Sequence, residues 1–196
     1  TRDWSSDVCS SDLDEVIMPT PCWVSYVEMV KIAQGKSVLV KTTMDNNFCL
    51  TAEQLESAIT PNTKLLMLCS PNNPTGSVYT LENLRALVEV LKKYPHVNVL
   101  ADEIYQHILY TGKHETLAQF PELEDRLIII NGVSKAYAMT GYRIGWLACH
   151  DKGLITAVKR LQGQTISCAT TIAQKAAEAA SDRPTPGSGS SLASGY

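Results

Sequence analysis

The sequence predicts an α/β domain built on a mostly parallel sheet. Two patterns carry that expectation. Short strands are apolar throughout, as strands buried on both faces are, and amphipathic helices are interleaved with them. A third observation concerns location. In such sheets ligands sit beyond the carboxyl ends of the strands, which is where this chain concentrates its polar and Gly/Pro-rich clusters.

The elements follow in order from Asp14. "EVIMPTP" is a short apolar run ended by prolines, and "SYVEMVKIAQG" has helical spacing at Tyr26, Met29, Val30 and Ala33, with Gly35 as the stop. "SVLVKTT" reads as a strand. "LTAEQLESAI" carries Thr51 and Gln54 at capping-box spacing ahead of Leu55 and Ile59. "TKLLMLCS" is a continuously apolar strand. "TLENLRALVEVLKKY" is the clearest amphipathic helix, with Leu81, Leu84, Leu87, Val88 and Leu91 on one side. "VNVLADE", "RLIIINGVSK" and "GWLACH" are further strands, and helical patterns resume at "KGLITAVKRLQ" and "TTIAQKAAEAA". No internal repeat is visible.

The chain has 196 residues, the size of one domain or part of a larger one, and its 44% apolar content suffices for a sizeable core. A net charge of −3 with no basic stripe gives no case for nucleic acid. The longest apolar runs fall well short of the roughly 18–20 residues of a membrane span, and no stretch resembles a signal peptide. Six cysteines are scattered without C-x-x-C, so they are expected to be free buried thiols in a reducing, cytoplasmic setting.

Four clusters at strand ends can carry chemistry: "TPCWVSY", "SPNNPTG", "ADEIYQ" and "NGVSKAYAMTGYRIG". Singly, each has an ordinary explanation: a tight turn at "NNPTG", a helix cap at Asp102, a solvated Lys135, a structural ion pair at Arg143, packing at Trp23. Together they supply what a pyridoxal phosphate site requires. Such a site needs a lysine amine to bond the cofactor, a carboxylate to keep its ring nitrogen protonated, and an arginine and hydroxyls for the phosphate. Donors to the 3′-oxygen and an aromatic ring over the cofactor face complete it.

On "SPNNPTG", "ADEIYQ" and "NGVSKAYAMTGYRIGW", in that order and at plausible spacing, residues 14–180 resemble the class I/II aminotransferases of the type I pyridoxal phosphate fold, aspartate aminotransferase-like branch. The resemblance implies a three-layer α/β/α partial large domain. It implies Lys135 as the Schiff-base lysine and acid/base, Asp102 as partner of the pyridinium nitrogen, and Tyr105 and Asn73 as donors to the 3′-oxygen. Lys135, Asp102 and Tyr105 are the implied catalytic set. Ser134 and Arg143 would bind the phosphate, and Trp23 would stack on the ring. Cys22 stands where the family often has Tyr.

The implied reaction transfers an amino group between an amino acid, aspartate-like by preference, and a 2-oxo acid. The implied parent enzyme is a homodimer of which this chain is a fragment, inactive by itself for want of the remaining parts of the site. The same motifs also serve pyridoxal phosphate lyases and synthases of this fold, and a non-catalytic domain that retains it.

The two ends read differently. Arg2–Leu13 can be reverse-translated as a common sequencing-library adapter read in frame, with Leu13 fixed whatever base follows, so residues 1–13 are expected to be a non-native leader. Residues 181–196 form a Ser/Gly/Pro-rich tail expected to be a flexible or non-native segment.

Overall fold

A computed structural model describes residues 14–182. The expected leader and the tail from residue 183 onward lie outside the described residues. Ser181 ends the last described helix and Asp182 caps it.

Six strands form one sheet in the order β2-β1-β3-β4-β5-β6. They are β1 (Glu15–Thr20), β2 (Lys36–Lys41), β3 (Thr63–Cys69), β4 (Asn98–Asp102), β5 (Leu127–Gly132) and β6 (Gly145–Ala148). The first five run parallel and β6 pairs antiparallel with β5. The helices are α1 (Val24–Ile32), α2 (Ala52–Ala58), α3 (Leu81–Lys93), α4 (Lys152–Thr165) and α5 (Thr171–Ser181).

Strand alternation sends neighbouring residues to opposite layers. Ile17, Leu66, Leu68, Val99 and Ala101 join a core with Leu55 of α2 and Leu84, Leu87, Val88 and Leu91 of α3. Val16, Met18, Met67 and Cys69 face the other way, onto Tyr26 and Val30 of α1. Two apolar cores on the two faces of one sheet make the domain three-layered, with central strands β1, β3 and β4 buried on both sides. The edges depart from the expected uniform burial. Leu39 on β2 and Trp146 on β6 are exposed, because an edge strand has one neighbour instead of two.

Local signals place the helices. Thr51 and Gln54 form the expected reciprocal cap at the start of α2, at 3.2 and 3.1 Å. A second such cap opens α3, where Thr80 and Asn83 exchange bonds of 3.1 Å each, Asn taking the place of the usual Glu or Gln. On α3 Leu81 is only half-buried, whereas Val90, not expected on the apolar side, is buried. On α1 only Tyr26 and Val30 are buried; Met29 and Ala33 are exposed. The helix ends at Ile32, three residues before the expected glycine. Gln34 takes the left-handed conformation (φ 62°), and the Gly35 N–H bonds the Val30 carbonyl at 2.9 Å, closing a Schellman motif. Helices α4 and α5 contribute little to either core: no α4 side chain is buried, and α5 buries only Ala173 and Ala177. No described helix is long and apolar enough to cross a membrane.

Candidate active site

The carboxyl ends of β1, β3, β4 and β5 open into one cleft of about 370 Å³. All seven residues expected to hold a cofactor line it: Trp23, Asn73, Asp102, Tyr105, Ser134, Lys135 and Arg143. They come from the ends of four strands and the segments that follow them, and meet because the parallel sheet gathers its strand ends on one side.

Asp102 ends β4 and is 8% exposed. Alternation decides which acid of "ADE" faces the cleft. Asp102 shares a face with Leu100 and with Cys69, its register partner on β3, while Glu103 turns to the opposite layer. There Glu103 accepts the Thr116 hydroxyl at 2.6 Å and lies 3.3 Å from the His114 ring. Both oxygens of Asp102 are held: Oδ1 accepts the Ile104 N–H at 3.1 Å, and Oδ2 accepts the Tyr26 hydroxyl at 2.5 Å. No helix follows Asp102, so the helix-cap reading does not apply.

Lys135 follows β5 on a turn in which the Ala138 N–H bonds its carbonyl at 3.1 Å. Its amine is exposed and lies 5.6 Å from the centre of the Tyr105 ring, within cation–π range. Arg143 sits at the exposed rim in a left-handed conformation (φ 56°), with its guanidinium donating to the Thr140 carbonyl at 3.0 Å. Ser134 is half-buried beside Lys135. The lining therefore carries two cations at the surface and one carboxylate on the floor, a balance that suits an anionic ligand with a basic ring nitrogen.

The loop after β3 carries Asn73. It is pinned by Asn72, whose amide donates to the Pro21 carbonyl at 3.0 Å and to the Thr75 hydroxyl at 2.8 Å. The turn closes with the Gly76 N–H on the Asn72 carbonyl at 2.8 Å, and Gly76 has φ 71°. The Asn72–Pro21 bond ties this loop to the one bearing Trp23. Trp23 precedes the first turn of α1, is 41% exposed, and meets Tyr26 edge to face at 5.4 Å.

Several lining residues were not singled out as site residues from sequence: Tyr26, Ile104, Ile130, Asn131 and Thr140. Tyr26 is the informative one. It was legible only as part of the apolar side of α1, and its distance of three from Trp23, one helical turn, was the available clue. Burial first, then the neighbouring Cys69 and Asp102, push its hydroxyl well above the usual phenol range.

The family model described as aminotransferase class I and II matches residues 7–188. The chain is 48% identical over 169 residues to an aspartate/prephenate aminotransferase of Nitrosomonas europaea, covering 85% of this chain and 42% of that protein. It is 49% identical over 173 residues to an aspartate aminotransferase of Rhizobium meliloti, covering 87% and 42%. Among solved structures, an aspartate aminotransferase from Rhizobium meliloti superposes with a TM-score of 0.84 at 48% identity, covering 87% of this chain and 43% of that one. An aromatic aminotransferase from Pyrococcus horikoshii gives 0.85 at 34% identity, covering 91% and 47%. The chain thus spans less than half the length of these relatives. With the family model covering nearly all of it, the chain belongs to the class I and II aminotransferases.

Proposed function

We propose that residues 14–180 are the cofactor-binding part of a pyridoxal phosphate-dependent aminotransferase that moves an amino group between an aspartate-like amino acid and a 2-oxo acid. One observation carries the reading: a buried carboxylate, an amine, a guanidinium, an amide, a phenol, a hydroxyl and an indole converge on one cleft. That donor set fits pyridoxal phosphate group by group, and the cleft has the size of a small-molecule site. Relatives named as aspartate and aspartate/prephenate aminotransferases support the substrate class.

Pyridoxal phosphate, when bound, supplies an electron sink for charge that develops at the substrate α-carbon. The chain's own residues do the rest. Asp102, fixed on the floor, offers its carboxylate to the ring nitrogen and favours the protonated ring. Tyr105 and Asn73 donate to the 3′-oxygen. Ser134 and Arg143 bind the phosphate, the guanidinium by its planar fork. Trp23 covers one face of the ring and excludes water. Lys135 is the nucleophilic amine that anchors the cofactor. With substrate in place, its Nζ would be the base that takes the substrate α-proton and the acid that later gives it back.

The complete enzyme is read as a homodimer whose remaining length completes the phosphate and carboxylate sites. The 196-residue chain is read as having little or no turnover of its own. Five unpaired cysteines among the described residues support a reducing compartment such as the cytoplasm.

The test is product analysis with aspartate and 2-oxoglutarate, on this chain and on the longer reading frame that contains it. Formation of oxaloacetate and glutamate by the longer protein alone is expected. Ammonia release without glutamate would reassign the parent to a lyase, and robust turnover by the short chain would refute its incompleteness.

A further inference from the structure

Tyr26 has no step of its own in the reaction, yet its hydroxyl makes a buried bond across 76 residues of sequence, to Asp102 Oδ2. The ring is 4% exposed, packed with Val16, Met18, Val30, Met67 and Cys69. A phenylalanine would fill that space without bringing a polar atom into an apolar layer, where an unpaired hydroxyl is costly.

The direction of the bond is fixed. An ionised carboxylate only accepts, so the proton belongs to Tyr26. Burial first, and then the neighbouring Cys69 and Asp102, raise the hydroxyl pKa and hold the proton on Tyr26. The terminal torsion of an aspartate is broad and two-fold, so a single bond leaves the carboxylate free to swivel. A second bond, from the Ile104 N–H to Oδ1, removes that freedom.

We propose that Tyr26 is a positioning residue: with the Ile104 N–H it locks the plane of the Asp102 carboxylate, so that the lone pairs left over face the ring nitrogen of the cofactor. This rests on the reading of the cleft as a pyridoxal phosphate site with Asp102 opposite that nitrogen. Trp23, at the N-cap of α1, and Tyr26, one turn further on, then serve the two aspects of one ring, its face and its nitrogen.

The test compares equilibrium binding of two probes, pyridoxal phosphate and its 1-deaza analogue, in which carbon replaces the ring nitrogen. The probes are measured against the unaltered chain, Tyr26→Phe and, as a control, Tyr110→Phe at an exposed position. The unaltered chain and the control should prefer the natural cofactor. In Tyr26→Phe that preference should fall about tenfold, the worth of one hydrogen bond to a charged group, while affinity for the analogue stays within about twofold. Should Tyr26→Phe not fold, 3-fluorotyrosine in place of Tyr26 keeps the ring's bulk and makes a stronger donor, and the preference should rise.

Equal weakening of both probes, or an unchanged preference, would reduce Tyr26 to a packing residue and overturn the proposal alone. Absence of any preference in the unaltered chain would overturn the assignment of Asp102 to the ring nitrogen, and the proposal with it.

Discussion

Gly132 lies opposite Gly145 across the antiparallel β5–β6 pair, and a side chain on Gly132 has nowhere to go. A Cβ there would stand 2.7 Å from the Ile144 carbonyl oxygen and 3.0 Å from the Gly145 Cα, both backbone atoms that cannot swing aside. The segment between these strands carries Ser134, Lys135 and Arg143, so the close approach shapes the cleft. Gly132→Ala should lower unfolding free energy by about 1–3 kcal/mol and weaken pyridoxal phosphate binding at least about tenfold. Gly163, inside α4 with open space around it, is the counterpart; Gly163→Ala should stabilise by about 0.5–1 kcal/mol and leave binding alone. Denaturant titrations with and without cofactor check both.

Glu15 joins three pieces of chain at the start of β1. Its Oε2 accepts the Thr60 hydroxyl at 2.6 Å, and its Oε1 pairs with Lys36 Nζ at 2.9 Å. The Thr60 bond first, and then Lys36, hold the carboxyl below its usual range. Because the folded-state value is depressed, the stabilisation is fully present above the unfolded-state value of about 4.3 and is lost as pH falls through the folded value. Melting temperatures between pH 7 and pH 3 should therefore drop further for the natural chain than for Glu15→Gln, with the gap closing at the acid end.

Arg126 ties the end of α3 to the approach to β4. Its guanidinium donates to the Leu91, Tyr94 and Val97 carbonyls at 2.8, 2.9 and 2.7 Å, satisfying acceptors at the helix C-terminus and the approach to β4. Arg126→Met should cost about 2–3 kcal/mol, since three carbonyls lose a charged donor. Hydrogen exchange should show the loss concentrated in the last turn of α3 and spare α1.

Thiol labelling should follow burial and not sequence order. Burial pushes the Cys49 thiol up to about 11, and burial together with the nearby Asp102 charge pushes Cys69 to about 11, while Cys168 is exposed. Iodoacetamide at pH 8 should modify Cys168 within the time that leaves Cys49 and Cys69 untouched, and all three should react in denaturant.

Much of this was legible in the sequence because strands buried on both faces and capped amphipathic helices leave strong patterns. The strand runs from Glu15 to Ala148 were read in order, and the polar residues that follow them were read as one site. What escaped was tertiary. The Tyr26–Asp102 bond joins positions 76 residues apart, and nothing local distinguishes a tyrosine whose hydroxyl meets a carboxylate from one that merely packs. Met29 and Ala33 had helical spacing but lie on the solvent side, because α1 offers its layer a narrow stripe. The cap at Thr80–Asn83 uses a shorter amide than the usual pattern, and the free cysteines proved buried only at Cys49 and Cys69 among those described. The antiparallel turn of β6 needed the Gly132–Gly145 contact to be seen.

The most direct measurement is reductive trapping. The chain is incubated with pyridoxal 5′-phosphate, reduced with borohydride, digested and mapped by mass, beside Lys135→Ala. One saturating modification at Lys135, absent from the variant, is the predicted result. A label spread evenly over the surface lysines, or one undiminished in Lys135→Ala, would contradict it.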